Sequence, residues 1–404
     1  MASTSSCLSA AVIAVSVWSA MAELPTPKVP ARPAPYFSWA TVPVAFHGAN
    51  KARLYTQQEV EQLANRYQMI TLEKWYTPCG AQRFGLPGCR VEQKMATTFK
   101  AIKAANPNVT TMLYLNSMFN FAAYSLNGLM LDREAQGLTS LLRDKQGQLV
   151  SLCNDGNVYC NITSFDLSVK AVRDLWLETV VNMTRDGGVD GVFADHGYEA
   201  GAEPSSHDLA PPDDPQLCNG QGAGRQCYHF EPSFAQKFNE GHEFILNNTQ
   251  DVVAKLTGGP VIDGPYGLWY APSCNLQVMQ KFVEKGKAGT GPFVLEFNRA
   301  AKGSSINGCN PDESCLAAFL IAADKYSYMS CFQSQDTADT PLPKFIPAFS
   351  KPLGEPTGPA VEEPRRVYKR SFVSHAGETV VRYDLKTKSG TIQWASDATH
   401  DPPV

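Results

Sequence analysis

The chain has 404 residues, of which 43% are hydrophobic and 18% are charged, and its formal net charge is −4. This composition is that of a globular protein with enough apolar material for a large core. The weak net charge argues against a nucleic-acid partner, which would require a clustered basic face.

Residues 1–22 have the pattern of a secretory signal peptide. An apolar run at residues 8–18 is too short to span a bilayer, and Ala20-Met21-Ala22 follows it as a small-residue cleavage site. No Lys or Arg precedes the run, and a short membrane anchor or a buried helix is the alternative. We expect a Pro-rich leader at residues 23–40. The sequence therefore predicts a protein of the extracellular space or the endomembrane lumen, with no membrane attachment after cleavage.

The cysteines fit the same compartment. Ten remain once Cys7 is removed with the signal peptide, and most of them are close together in pairs, although spacing alone does not fix connectivity. No Cys-x-x-Cys zinc spacing is present, and we expect neither a metal nor another cofactor. Four sequons, at Asn108, Asn161, Asn182 and Asn247, would be meaningful as glycosylation sites only in a secreted chain. The simplest pairing joins Cys79 to Cys89, Cys153 to Cys160, Cys218 to Cys227, Cys309 to Cys315, and Cys274 to Cys331.

Short apolar strands alternate with helices from residue 41 to residue 350. Thr56 and Glu59 form a capping box that predicts a helix start. Apolar spacing and short β-favouring runs predict the other elements. Strands are predicted at residues 41–48, 69–75, 109–116, 188–195, 259–264, 293–298 and 326–330. Helices are predicted at residues 60–67, 95–102, 169–183, 234–245, 276–282 and 316–323, and residues 119–160 are predicted to be irregular.

This alternation predicts an α/β fold with a parallel sheet covered by helices. Seven strands, with an eighth expected in residues 341–349, suggest a (β/α)8 TIM barrel over residues 41–350. The alternative is an open doubly wound sheet, but no Gly-rich turn follows the first strand. A linker is predicted at residues 351–366. A small antiparallel β segment at residues 367–404 is too small to stand alone and should pack on the barrel.

Several predicted strands end in polar side chains. In a parallel barrel the carboxyl ends of the strands surround one cavity, where active sites are built. Carboxylates dominate the set, and two carboxylates of different pKa are what hydrolysis of an acetal needs. The strand-end residues are His47, Glu73, Asn116, Asp195, Asp263 and Glu296.

Asp195 and Glu296 are the leading catalytic candidates, with Asp263 in reserve. For each, a structural hydrogen bond or salt bridge is the alternative, and Asp263 also begins an Asp-Gly-Pro turn signal. Apolar neighbours of Glu296 favour a raised pKa and the role of proton donor. His196 and a polar loop follow Asp195 and favour its ionised form.

Aromatic and polar residues near the same strand ends are candidates for sugar binding. Aromatic rings stack on the apolar faces of sugars, although ordinary packing is the simpler explanation for any single ring. Gly-x-Ser-x-Gly and phosphate-loop motifs are absent from the sequence, and its seven His are scattered. The candidate substrate-binding residues are His47, Glu73, Trp75, Asn116, His196, Tyr198, Tyr266 and Asn298.

The strand at residues 190–195 (Asp-Gly-Val-Phe-Ala-Asp) resembles the Asp-Gly-(Val/Phe)-Phe-x-Asp strand of glycoside hydrolase barrels. The similar families are hypothetical glycosyl hydrolase family 15 and, more distantly, the endo-polygalactosaminidase-like group. The resemblance implies a (β/α)8 barrel with glycosidase chemistry and favours Asp195 and, less strongly, Glu296. The long cysteine-bearing loop after Asp195 departs from the family pattern. Further similar segments are residues 46–48, 113–116, 353–356, 368–372, 379–381 and 390–392.

We therefore predict a secreted, disulfide-bonded monomer that hydrolyses glycosidic bonds of a poly- or oligosaccharide. The alternative is a catalytically inactive barrel that binds glycans as a lectin. The presence of both Asp195 and Glu296 favours the enzyme.

Overall fold

The computed structural model describes residues 36–78, 89–152, 162–195, 216–219, 226–257, 261–263, 276–277, 279–280, 283, 294–295, 311–332 and 339–395. All of them belong to one compact unit, Ala31–Val404. The predicted signal peptide and most of the leader lie outside these residues. So do residues 278, 281 and 282 of the predicted helix at residues 276–282, and the sequon Asn161.

Helices and strands alternate through most of the described chain. In order they are β1 (Val44–Gly48), α1 (Gln57–Arg66), β2 (Met69–Leu72), α2 (Val91–Ala105), β3 (Thr110–Asn116), β4 (Phe119–Asn120), α3 (Ser125–Ala135), β5 (Ser151–Leu152), β6 (Ile162–Ser164), α4 (Lys170–Asp186), β7 (Gly191–Asp195), β8 (Gln216–Asn219), β9 (Gln226–His229), α5 (Pro232–Thr257), β10 (Val261–Asp263), β11 (Val294–Leu295), α6 (Glu313–Ala322), β12 (Tyr328–Phe332), β13 (Glu355–Pro356), β14 (Val361–Glu363), β15 (Val367–Ser374), β16 (Gly377–Asp384) and β17 (Ser389–Gln393).

Seven strands form the central sheet, in the order β10-β7-β3-β2-β1-β12-β11. Every neighbouring pair is parallel. Every residue of β1, β2 and β3 is buried, as expected for strands that are covered on both faces. The predicted parallel sheet is therefore confirmed.

The first helix shows why these elements form where they do. The Thr56 hydroxyl accepts from the backbone N–H of Glu59 at 3.2 Å, and the Glu59 carboxylate accepts from the Thr56 N–H at 2.7 Å. This capping box satisfies two backbone donors at the start of α1. Val60 and Leu63 are buried on the same helix, and α1 packs against α2.

The region predicted to be irregular, residues 119–160, contains a helix and two short strands. Leu126 and Met130 of α3 are buried, while β4 and β5 flank β6 in a small antiparallel sheet. Leu129 and Leu131 are exposed at 44% and 46%. These apolar residues on the solvent side obscure the helical period, which explains why the sequence pattern did not reveal α3.

The predicted eighth strand at residues 341–349 is wrong. The described chain has no strand there and forms a 3-10 helix at Pro347–Ser350. Pro341, Pro343 and Pro347 each lack the N–H that a central strand needs. Phe349 is buried nonetheless, and its ring packs edge-on against Phe345 with the centroids 5.3 Å apart.

A second sheet, antiparallel throughout, lies near the C-terminus. Strands β13, β15, β16 and β17 follow one another, and β14 also pairs with β15. The linker predicted at residues 351–366 is therefore wrong in part, because it contributes β13 and β14. Gly354 has φ +85°, and a Cβ there would collide with the carbonyl of Val373. Glycine is thus needed where the chain enters this sheet.

Arg370 of β15 holds the C-terminal sheet against α6. Its guanidinium donates to the carbonyl of Leu320 at 3.0 Å and to that of Ala323, at the end of the helix. These carbonyls have no partner within the helix. The ring of Trp39 also lies 5.9 Å from the same guanidinium. The C-terminal strands therefore pack on the chain that precedes them.

Disulfide bonds are present, although the full pairing stays a prediction. Cys89 is disulfide-bonded, and so is Cys315. Cys218 and Cys227 stand directly opposite each other in the β8–β9 hairpin. Within the described ranges, no helix has the length and apolar character needed to cross a membrane.

Candidate functional site

The carboxyl ends of β1, β2, β3 and β7 bring polar side chains together. In the register of β3 and β7, Tyr114 is paired with Phe193 and Asn116 with Asp195. Paired positions of neighbouring strands share a face, and residues two apart on a strand do so as well. Tyr114, Asn116, Phe193 and Asp195 therefore line one face of the sheet at its carboxyl edge.

Asp195 accepts hydrogen bonds from two side chains of β3. The Tyr114 hydroxyl donates to Oδ2, and Nδ2 of Asn116 donates to the same oxygen at 3.1 Å. Asp195 is partly exposed, whereas Asn116 and Tyr114 are buried. The site therefore holds a carboxylate in a fixed orientation at the edge of the core.

Asn116 is itself fixed by the chain that follows it. Its Oδ1 accepts from the backbone N–H of Met118 at 2.9 Å and of Phe119 at 2.7 Å. Its backbone carbonyl accepts from Nε1 of the buried Trp176 at 2.9 Å. These contacts assign the amide orientation, so Nδ2 faces Asp195.

The backbone of Asp195 is held as firmly as its side chain. Its carbonyl accepts from the N–H of Ser117 at 2.9 Å and from the Ser117 hydroxyl at 2.8 Å. The Ser117 oxygen also contacts Nε2 of His242 on α5 at 2.9 Å. Since the single hydroxyl proton goes to Asp195, His242 is the donor in this contact.

Glu73, which follows β2, is fully buried between two basic groups. Nε2 of His47 lies 2.9 Å from Oε1, and Nζ of Lys74 lies 3.0 Å from Oε2. Burial by itself raises the pKa of Glu73, but the Lys74 charge and the His47 contact outweigh it and leave the pKa below its ordinary value. An ionised carboxylate only accepts, so Nε2 of His47 carries a proton.

Lys74 connects Glu73 to Tyr114. Its Nζ donates to the Tyr114 hydroxyl at 2.9 Å and lies 4.0 Å from the centroid of the Tyr114 ring. The rings of Trp75 and Phe121 each lie 5.2 Å from the same ammonium. The lysine is therefore held by a carboxylate, a phenol and three aromatic faces.

Tyr114 remains a neutral hydrogen-bond donor. Burial raises its pKa well above the ordinary value, and the negative charges of Asp195 and Glu73 raise it further. Its backbone carbonyl also accepts from the Tyr124 hydroxyl at 2.6 Å. The phenol thus passes a hydrogen bond toward Asp195 without losing its proton.

The structure brings together four of the predicted site residues: His47, Glu73, Asn116 and Asp195. Trp75 lies beside Lys74. Asp263 ends β10 and is paired with Ala194, one residue out of step with Asp195. The other predicted residues, Glu296, His196, Tyr198, Tyr266 and Asn298, lie outside the described part of the chain.

The sequence analysis missed Lys74 and Tyr114 as site residues. Strand alternation could have indicated Tyr114, because it lies two residues before Asn116 and shares its face. Lys74 has no such signal, since its role depends on contacts with another strand. In the described ranges, no cluster of three or more His, Cys, Asp or Glu side chains is arranged to hold a metal ion.

Several solved structures can be superposed on this chain, all at low sequence identity. An alpha-glucosyl transfer enzyme, XgtA, matches at 10% identity and a TM-score of 0.48, over 86% of this chain and 91% of its own. Sucrose 6F-phosphate phosphorylase from Thermoanaerobacter thermosaccharolyticum matches at 10% identity and 0.45, over 87% and 95%. The GH36 alpha-galactosidase AgaA from Geobacillus stearothermophilus matches at 11% and 0.40, over 85% and 47%. Similarities this low assign neither substrate nor mechanism.

A comparison with curated proteins found no match. The family described as hypothetical glycosyl hydrolase family 15 matches residues 103–376, more than half of the chain. The match includes β3 and β7, whose carboxyl ends carry Tyr114, Asn116 and Asp195. It confirms the resemblance indicated by the strand at residues 190–195. This chain belongs to hypothetical glycosyl hydrolase family 15.

Proposed function

We propose that this protein hydrolyses the glycosidic bonds of a poly- or oligosaccharide, with Asp195 as an ionised carboxylate that attacks the sugar or activates water. The observation that carries the proposal is the position of Asp195. It is partly exposed at the carboxyl end of a parallel strand and accepts from both Tyr114 and Asn116. Hydrogen bonds donated to a carboxylate stabilise its charged form.

The reaction needs a second carboxyl group as the proton donor. Glu296 remains the leading candidate, because it directly follows β11 of the same parallel sheet. Asp263 is less suitable by register, since it is paired with Ala194 and successive residues of a strand alternate between faces. A separation of about 5–5.5 Å between the two carboxyl groups would give retention, and about 6.5–9.5 Å would give inversion.

We also propose that the sheet closes into a barrel between β10 and β11, its two edge strands. Beyond β1, the order continues with β12 and then β11. A barrel opened between two consecutive strands has this cyclic order, whereas a doubly wound sheet would place the fourth parallel strand, β7, next to β1. Closure would put all the strand ends around one cavity.

The test is release of reducing sugar from a glycan panel by the wild type, Asp195→Asn and Glu296→Gln. Each variant keeps the shape of the side chain, and each should lose activity by roughly 10²–10⁴-fold, because one positioned acid or base contributes about that much. An activated substrate with a good leaving group should restore activity to Glu296→Gln but not to Asp195→Asn. Unchanged activity in Asp195→Asn would overturn the proposal. Glycan binding without release by the wild type would favour the lectin.

We propose that the protein is a secreted monomer with five disulfide bonds, four of them local. The bonded state of Cys89 and Cys315 and the opposed positions of Cys218 and Cys227 support this. Non-reducing peptide mapping of the secreted protein should find the five predicted bridges. Several free thiols would contradict the proposal, and size-exclusion chromatography would test the monomer.

A further inference from the structure

The hydrogen bonds between Lys74, Tyr114 and Asp195 have only one possible direction. A lysine ammonium has three donors and no acceptor, and a phenol has a single proton. Lys74 donates to the Tyr114 oxygen at 2.9 Å, so the Tyr114 proton is available only for Asp195 Oδ2. Lys74 therefore polarises a hydroxyl whose proton points at Asp195.

Lys74 is fixed by its own contacts. Its Nζ donates to Glu73 Oε2 at 3.0 Å, and its backbone N–H reaches the same oxygen at 3.2 Å. Its side chain is only 13% exposed, and Glu73 is in turn held by His47. In such a poorly solvated position a charge acts more strongly on its neighbours than in water.

We propose that Lys74 is a positioning residue that acts on Asp195 through the hydroxyl of Tyr114. Its ammonium keeps the phenol proton on the side of Asp195 and thereby stabilises the carboxylate. This inference rests on the proposed function, in which Asp195 reacts as an ion. Without Lys74, the Tyr114 oxygen loses its charged donor, so the phenol proton is less strongly polarised toward Asp195 and the carboxylate is less stabilised.

Other charged and titratable groups also surround Asp195. Tyr114 belongs to β3, Tyr124 follows β4, Glu73 and Lys74 follow β2, and His47 is the penultimate residue of β1. The negative charge of Asp195 contributes to the raised pKa of Tyr124 and opposes the lowered pKa of Glu73. On its other side, β10 ends in Asp263. A test must therefore separate the hydroxyl of Tyr114 from the general field of this cluster.

A double-mutant cycle makes this separation. The titration of Asp195 is followed by carbon NMR of the full chain with labelled aspartate carboxyl groups, and Asp195→Asn identifies the signal. Lys74→Met should raise the titration midpoint by roughly one pH unit. In the Tyr114→Phe background, where no hydroxyl can relay the effect, Lys74→Met should shift the midpoint far less.

Lys103→Met is the matched control. It removes the same charge from the lysine that faces Asp190, before the start of β7, and should leave the Asp195 midpoint unchanged. Two outcomes would overturn the proposal. One is an unchanged midpoint in Lys74→Met, and the other is an equal shift with and without the Tyr114 hydroxyl. Should Lys74→Met fail to fold, Lys74→Gln removes the charge but keeps a polar group for Glu73, and it is judged by the same two outcomes.

The titration requires no substrate, so its failure is distinct from failure of the proposed function. Asp195→Asn activity tests whether Asp195 reacts, and the midpoint of Asp195 tests whether Lys74 positions it. Once a substrate is found, the pH dependence of kcat/KM can be measured as well. In Lys74→Met, the acidic limb of that pH profile should move to higher pH by the same amount as the NMR midpoint of Asp195. An acidic limb that stayed in place while the midpoint moved would show that Asp195 is not the group that controls the rate.

Discussion

Asp190 and Asp195 lie five residues apart at the two ends of β7, and their surroundings differ. Asp190 forms an ion pair with Lys103 and accepts from the Thr111 N–H at 2.9 Å and the Thr111 hydroxyl at 3.1 Å. The side chains of Lys103 and Asp190 are 15% and 9% exposed. At this end of the strand a cation contacts the carboxylate directly.

At the other end, the carboxylate of Asp195 accepts from the neutral side chains of Tyr114 and Asn116. The cation Lys74 contacts Tyr114, so its effect passes through a phenol. The same two strands thus hold one aspartate as part of an ion pair and the other as a partly exposed, oriented acceptor. In the proposed barrel this difference would match the usual division, in which the amino ends of strands serve stability and the carboxyl ends serve chemistry.

The largest expected effects come from replacing Asp195 or Asp190, each in a separate variant, by asparagine. Asp195→Asn should lower turnover by roughly 10²–10⁴-fold and leave the melting temperature nearly unchanged. Asp190→Asn should retain activity but lower the free energy of unfolding by about 3 kcal/mol, because it leaves Lys103 without its anion. Turnover assays and denaturant titrations measure both. A loss of activity in folded Asp190→Asn would contradict the distinction between the two ends of β7.

The two ends of β3 offer a second comparison. Asn116→Asp keeps the acceptor for Met118 and Phe119 but replaces the donor to Asp195 with a like charge. It should raise the pKa of Asp195 and lower kcat/KM by roughly tenfold or more near neutral pH. Thr111→Val removes a hydroxyl whose single proton is shared between the Gly188 carbonyl, at 2.8 Å, and Asp190, at 3.1 Å. It should cost about 1 kcal/mol of stability with activity intact. Equal kinetic losses in both variants would contradict the comparison.

Arg370 is a buried charge far from Asp195, and replacing it tests whether a buried charge outside the site affects stability without affecting catalysis. Arg370→Met leaves the Leu320 and Ala323 carbonyls unsatisfied and should lower the free energy of unfolding by roughly 1–3 kcal/mol. Arg382→Met is the control on the same sheet, because its exposed guanidinium lies 3.9 Å from Glu363. It should cost less than about 0.5 kcal/mol. Neither variant should change KM.

The final prediction concerns the pH dependence of stability at Glu73. The pKa of Glu73 is lowered on folding, so its carboxylate stabilises the fold above its ordinary pKa of 4.5, and this stability is lost as the pH falls through the folded value. Glu73→Gln should be less stable than the wild type near neutral pH, and the gap should close in acid. Denaturant titrations at several pH values measure the gap. A constant gap would show that Glu73 is not ionised in the fold.

Much of the fold was predictable because its signals are local. The capping box at Thr56 fixes a helix start within four residues, and the apolar runs of β1, β2, β3 and β7 match their buried positions. The local signals failed where contacts between distant parts of the chain decide the structure. The predicted linker joins a sheet because Gly354 can approach Val373, and α3 carries exposed leucines that disguise its buried face.

By itself, the sequence determined the alternation of strands and helices and placed Asp195 at a strand end, since both follow from period and residue type. The tertiary structure decided how the surroundings of Asp195 differ from those of Asp190. Lys74, Tyr114 and Asp195 are brought together from three strand ends, and Lys103 meets Asp190 from α2. Hydrogen bonds and charge act over a few ångströms in space, whatever the separation along the chain. The partners of each carboxylate therefore depend on the register of the sheet, which local sequence does not encode.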